Sequence, residues 1–251
     1  MRTAYPVLFL LALSTSLALP VRAEPGSRPI YVRGSIGLAA QSLSAWNEDI
    51  REDERFFQSQ GIPVSFEEFG PGNPLSLEAG YRVNSMISIG GSVSYQKASI
   101  DHSFTDFSGS LSRSGDLSLV GLTACLSFLV PDANGLFVGV DAGLGLGKAK
   151  TDFHFRDFSS PSNDLDGTGD WDGTGPIFGV FAGVEQSFQT GLILFIKGGY
   201  RYQNLGVFDG RTSSPQLGNG NGPPRNNAGQ AIETDFSGLH VAFGLGFAFG
   251  R

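Results

Sequence analysis

Charged residues in this chain obey a parity. In eight segments, 29–41, 74–84, 86–98, 116–130, 136–150, 176–188, 192–204 and 235–249, large apolar residues recur at every second position, the period of a β-strand with two unlike faces. The closing stretch, "GLHVAFGLGFAFGR" (238–251), shows the pattern plainly: Leu239, Val241, Phe243, Leu245, Phe247 and Phe249 alternate with Gly238, His240, Ala242, Gly244, Gly246 and Ala248. Across the segments, the second face holds Arg33, Glu78, Arg82, Asp141, Glu185, Lys197 and Arg201, together with His240. Gly80, Gly90, Gly139, Gly143, Gly183 and Gly199 lie on the same face.

This parity decides which side is inside. A soluble sandwich or lipocalin-like barrel would put the charged face in water and leave six or more strands of apolar side chains to fill one small core. A membrane-spanning barrel puts the apolar face against lipid. With the opposite phase, each basic residue near the bilayer midplane would cost roughly 2–4 kcal/mol. Four of them would cost on the order of 10 kcal/mol, comparable to the stability of a whole domain. The expected fold is therefore all-β, an eight-stranded antiparallel up-and-down transmembrane β-barrel, charged and glycine-rich inside. A barrel of this size has an interior that side chains can fill. Four cations (Arg33, Arg82, Lys197, Arg201) face three anions (Glu78, Asp141, Glu185) there, which predicts a paired polar network plugging the lumen, because unpaired buried charges are costly.

The connections support an up-and-down order. Those at 84–85, 131–135 and 189–191 are short and carry turn residues. Those at 42–73, 99–115, 151–175 and 205–234 are long, and the last is rich in Gly, Asn and Pro and expected to be mobile. Short periplasmic turns and long external loops distinguish the two ends of outer-membrane barrels. If the first strand rises from the periplasm, Tyr81, Phe128, Phe188, Phe247 and Phe249 face lipid near one rim, and Tyr95, Tyr200 and Tyr202 near the other. These are the two interfacial girdles such a barrel requires.

The first residues, "MRTAYPVLFLLALSTSLALPVRAEPG", read as a secretory signal over 1–23, with a positive start, an apolar run too short to span a membrane as a helix, and a small-residue cleavage pattern. The barrel domain is expected over 24–251. The single cysteine, Cys125, rules out an internal disulfide and reads as a small inward residue. A net charge of −7 without a Lys/Arg cluster argues against nucleic-acid binding. The 36 glycines follow no collagen-like triplet, and the interior face gives them a purpose.

Two stretches carry a family resemblance. "LEAGYRVN" (77–84) and "IKGGYRYQNLG" (196–206) resemble the Gly-Tyr-Arg-Tyr strand motifs of small outer-membrane β-barrel proteins, the OmpA-type transmembrane domain and the opacity-type surface proteins among them. The resemblance implies outer-membrane localisation, and contact with outer-membrane lipid and lipopolysaccharide. It also implies recognition of the closing strand by the barrel-assembly machinery, although this strand ends Phe249-Gly250-Arg251 rather than on the aromatic. A peptidoglycan-binding domain, found in full-length OmpA-like proteins, is not expected.

Several motifs invite chemistry. In "NDLDGTGDWDGTG" (163–175), Asp164, Asp166, Asp170 and Asp172 with their glycines resemble calcium loops of extracellular modules. Ca²⁺ in the third external loop competes there with a plain acidic, solvated loop, and the distal Glu of the full ligand pattern is missing. "WNEDIREDERFF" (46–57) has charges at helical spacing and suits a short amphipathic turn. In it, Trp46, Phe56 and Phe57 serve either as exposed partner anchors or as aromatics packed over the barrel mouth. His240 faces the interior with no Ser and acid beside it in an obvious motif, which speaks against hydrolase chemistry. His102 and His154 lack metal-ligand spacing. "GLGLGK" (143–148) lies in an alternating strand with no helix after it, so it is no phosphate loop. Lys97 and Lys148 face outward near the external rim, where they either meet lipopolysaccharide phosphates or simply snorkel to the interface.

The reading that emerges is a monomeric, non-enzymatic outer-membrane barrel with a structural or adhesin-like role, meeting an unknown external ligand through its loops. A narrow porin-like channel is the alternative, and a lipid-modifying hydrolase comes third.

Overall fold

The computed structural model describes residues 30–106, 109–216, 218–226 and 228–249; the expected signal segment, residue 29 of the first strand and the two final residues lie outside them. Eight strands form the wall: β1 (Ile30–Gln41), β2 (Leu75–Arg82), β3 (Ile87–Thr105), β4 (Gly109–Leu129), β5 (Leu136–Asp157), β6 (Leu165–Ser187), β7 (Leu192–Tyr202) and, after four short strands, β12 (Gly238–Phe249). Each pairs antiparallel with its neighbours. β12 bridges β7 and β1, and the β6–β7 ladder closes the ring. The short turns lie at one end. In one, Asn84 Oδ1 accepts the backbone N–H groups of Met86 and Ile87, both at 2.8 Å. In another, Asp132, Asn134 and Gly135 all take positive φ, at 59°, 49° and 82°, the conformation that favours these residue types.

The wall has the expected inside and outside. Leu77, Val93, Leu122, Leu144, Val180, Phe243 and Leu245 are exposed on the outer face, whereas Arg33, Glu78, Asp141, Glu185 and Lys197 are buried. In water such a surface would be a very large apolar patch; around a barrel it is the lipid-facing belt. Tyr81, Phe128, Phe247 and Phe249 are exposed toward the short-turn end, and Tyr95, Tyr200 and Tyr202 toward the other. Phe188 is only half-exposed.

The external half departs from expectation. The second and third connections, 99–115 and 151–175, are not loops. The β3–β4 ladder runs on to Thr105↔Ser110 and the β5–β6 ladder to Phe155↔Leu165. The ten residues of β3 beyond Tyr95 reach about 33 Å along the strand. The phase of alternation is unbroken while its chemistry inverts. On β3 the outward set passes from Ile89, Val93 and Tyr95 to Lys97, Ser99 and Asp101, and the inward set from Ser88, Ser94 and Gln96 to Ala98 and Ile100. On β5 it passes from Val138, Val140 and Leu144 outside to Lys148, Lys150 and Asp152 outside, with Ala149 fully buried. Above the belt, water replaces lipid, so apolar residues turn inward without any shift of register.

What they turn toward is a second core. The first connection was expected to hold a short amphipathic turn, but it contains a 16-residue helix, α1 (Ser44–Ser59). Trp46 and Ile50 of α1, with Val64, Phe66 and Phe69 after it, pack against Ile100, Leu111, Leu117, Leu119 and Trp171 of the extended strands. The fourth connection, expected as a mobile segment, is folded as β8 (Asn204–Val207), β9 (Asp209–Ser214), β10 (Gly218–Asn221) and β11 (Glu233–Asp235). β9 adds to β6, β10 to β9, and β8 pairs with β11. Leu205, Phe208, Ile232 and Phe236 from this connection enter the same core.

Two outward positions on β5 test the boundary between belt and head. Val140→Arg is expected to cost about 2–4 kcal/mol in a bilayer, while Asp152→Arg, also at an exposed position but above the belt, leaves urea unfolding of the refolded barrel unchanged. Equal tolerance of both would mean that no lipid surrounds Val140.

Candidate functional site

The lumen gathers the predicted inward charges. Arg33 on β1 stands directly opposite Glu78 on β2, with 3.8 Å between their charged atoms. Its other terminal nitrogen donates to Glu185 of β6 at 2.5 Å. Arg82, four residues beyond Glu78 on β2 and nearer the short-turn end, donates to the second Glu185 oxygen at 2.5 Å. Lys197 of β7 reaches Glu78 at 3.4 Å. Higher in the lumen, Arg201 donates to Asp141 at 2.7 Å. Aromatic faces complete the packing: the Arg33 guanidinium lies 4.3 Å from the Tyr31 ring centre and the Lys197 ammonium 5.1 Å from that of Phe181. Neighbouring glycines make room for these long side chains; a Cβ on Gly179 would collide with the Asp141 carboxylate. His240 shares the lumen, but neither ring nitrogen has a protein partner.

A second closure lies above. The α1 helix is tied to the barrel wall by Arg113 of β4, which pairs with Asp49 at 2.9 Å and with Asp53. Trp46 Nε1 donates to Thr234 Oγ1 at 3.0 Å, joining the first external connection to the fourth. Burial pushes the Asp49 carboxyl above its ordinary range despite the opposing Arg113 charge. Sequence reasoning missed this anchor, because a run such as "NEDIREDER" looks like a solvated face. The available signal was helical spacing: Asp49 and Asp53 stand three and seven residues after Trp46 and share its face. Of the three expected aromatic anchors, Trp46 is buried, Phe57 packs beside Phe153 and Phe155, and Phe56 is exposed. Packing over the mouth thus accounts for two of the three.

The calcium expectation meets a different geometry. Asp166, Asp170 and Asp172 lie along one face of a single extended strand, β6, rather than around a point. Asp166 pairs with His154 at 2.7 Å and Arg156 at 2.8 Å, Asp164 with Arg156 at 3.7 Å, and Asp170 with Lys148 and Lys150 at 4.0 and 3.9 Å. Among the described residues, no group of three or more His, Cys, Asp or Glu is placed to hold a metal. Across the neighbouring β3–β4 ladder, Lys97 pairs with Asp116 at 2.9 Å, so the outward lysines near the rim already have carboxylate partners. His154 and Arg156 hold the Asp166 carboxyl below its usual range. At the hairpin tip, the Ser159 hydroxyl and the Asn163 amide hold Asp157 down to about 2.

These contacts set two expectations. Glu185→Gln strips the buried Arg33 guanidinium and the partly buried Arg82 guanidinium of their shared carboxylate and is expected to cost about 3–5 kcal/mol in unfolding free energy, whereas Glu48→Gln, on the exposed face of α1, leaves the unfolding curve in place. The Asp157 carboxyl should titrate near 2 by NMR. Since that value is depressed, its stabilisation of the tip is complete above the ordinary carboxylate range and is lost as pH falls through about 2; Ser159→Ala should raise the midpoint.

No protein-family model matches the chain, and no curated protein matches it significantly. Among solved structures, the attachment invasion locus protein Ail of Yersinia pestis aligns at 14% identity over 89% of this chain and 99% of its own, with a TM-score of 0.41. Neisserial surface protein A aligns at 17% identity over 89% and 99%, with a TM-score of 0.43. A major outer membrane protein of Thermus thermophilus aligns at 13% over 87% and 99%, with a TM-score of 0.44. All three are small outer-membrane β-barrel proteins.

Proposed function

We propose that this outer-membrane β-barrel works through its external head and not through its lumen: a non-enzymatic, non-conducting surface protein whose membrane part serves as the anchor. The observation that carries the reading is the double closure. Ion pairs between Arg33, Arg82, Lys197, Arg201 and three carboxylates cross the lumen within the belt, and above them α1 and the second core fill the mouth. A permeation path would need to break buried charge pairs and also displace a packed apolar core. Neither step is consistent with an open pore.

The head is built to present a surface. Four strands continue far past the lipid belt, stiffened from inside by α1, with a polar exterior and with Phe56 and Phe158 exposed. Rigid elements of this kind position contact residues more accurately than free loops. The hydrolase reading has little to stand on: His240 faces the lumen without a hydrogen-bond partner, out of reach of acyl chains on the lipid side. Residence as a monomer, contact with lipopolysaccharide and insertion by the barrel-assembly machinery belong to this same proposal.

Refolded protein in a planar lipid bilayer should give no stepwise conductance, and cells displaying the intact barrel should retain an external ligand that cells displaying a barrel with α1 and 60–72 deleted do not. Regular single-channel steps from the intact protein would overturn the reading in favour of the channel.

A further inference from the structure

The ion pairs of the lumen fall into two sets that differ in balance. The upper set is balanced in charge, Arg201 against Asp141. It is also balanced in the buried polar atoms left without a protein partner: Arg201 Nε donates, Asp141 Oδ1 accepts, and the two His240 nitrogens supply one donor and one acceptor when the ring is neutral. Water can satisfy such a set alone. The lower set differs on both counts. Arg33, Arg82 and Lys197 carry three positive charges against two on Glu78 and Glu185. Its unpartnered buried atoms are Arg33 Nε and Arg82 Nε, both obligate donors. Lys197 adds to the excess, since its ammonium has three protons and one carboxylate contact, at 3.4 Å.

From this double surplus, of charge and of donors, we propose that the lower lumen binds a small monovalent anion of the chloride class, held by the Nε–H groups of Arg33 and Arg82 near the Lys197 ammonium. A neutral water could accept from either donor but would leave the three-to-two excess of positive charge unchanged, and it is uncompensated charge away from water that is expensive. The route of entry is the short-turn end. Arg82 lies at the last position of β2 and is the most exposed of the three cations, with 18% of its side chain accessible against 5% for Arg33 and 10% for Lys197. The anion is thus a structural ligand of the plug, taken up from the periplasmic side, and it makes the closure of the lumen sensitive to the ions present.

The test is thermal unfolding of the refolded barrel in detergent, followed by its heat-modifiable gel mobility, in chloride and in gluconate at equal ionic strength. Chloride should raise the midpoint by roughly 2–4 °C over gluconate, and Lys197→Met, which removes the surplus charge, should abolish the difference. Crystals grown in bromide supply a second readout that does not depend on the variant folding: an anomalous peak within hydrogen-bond distance of both Nε atoms. Equal midpoints in the two salts, a chloride effect undiminished in Lys197→Met, or bromide crystals without that peak would each overturn the proposal.

Discussion

Hydrocarbon offers a polypeptide no hydrogen-bond partner, and most of this structure follows from that. A sheet in lipid has to close, because an open edge would leave a row of N–H and C=O groups unsatisfied. Closure with eight strands leaves a narrow interior, and the sequence places seven charged side chains in it. Most of that charge is compensated within the lumen: Glu185 receives two guanidiniums, Glu78 sits between Arg33 and Lys197, and Asp141 holds Arg201. The plug is in this sense a consequence of building a small barrel with a polar inside.

The same strands then solve a second problem with one alternation. Within the belt the outward residues are apolar and the inward ones polar; above it the roles exchange while the register of β3 through β6 stays fixed. The exchange occurs at Tyr95/Lys97 on β3 and Leu146/Lys148 on β5. Below that line the interior is held by charge and above it by Trp46, Ile50, Leu117, Leu119 and Phe208. Anchor and head are therefore one continuous sheet in two solvents. That continuity sets the second core directly above the ion-paired lumen.

The belt was legible in the sequence because lipid imposes a rule with few exceptions: charges in mid-strand must all share a face. The facing of the strands and the lumen residues came from that rule, the order of the strands from the alternation of short and long connections, and the girdles from the aromatics at the strand ends. The head was not legible by the same means. At 99–115 and 151–175 the apolar residues change sides, so a reading that assigns the large apolar set to lipid sees the pattern end and infers loops. Glycines and aspartates at 163–175 strengthened that impression, although Gly169 and Gly173 are glycines because Trp171 and Phe208 occupy the space a side chain would need. The α1 anchor was hidden for a related reason: Asp49 and Asp53 look like solvated charges until Arg113, about sixty residues away in the chain, is brought beside them.

The central claim is that one unbroken alternation faces lipid and then water. Nitroxide labels at single cysteines along β5, from 137 to 156 in a Cys125→Ala background, test it most directly, with collision rates measured for oxygen, which concentrates in lipid, and for a water-soluble nickel chelate. The account predicts that even-numbered positions up to Leu146 respond to oxygen and those from Lys148 onward to nickel, while odd-numbered positions stay shielded throughout. A nickel response at Val140 or Leu144, or a loss of the two-residue period beyond Lys150, would contradict it.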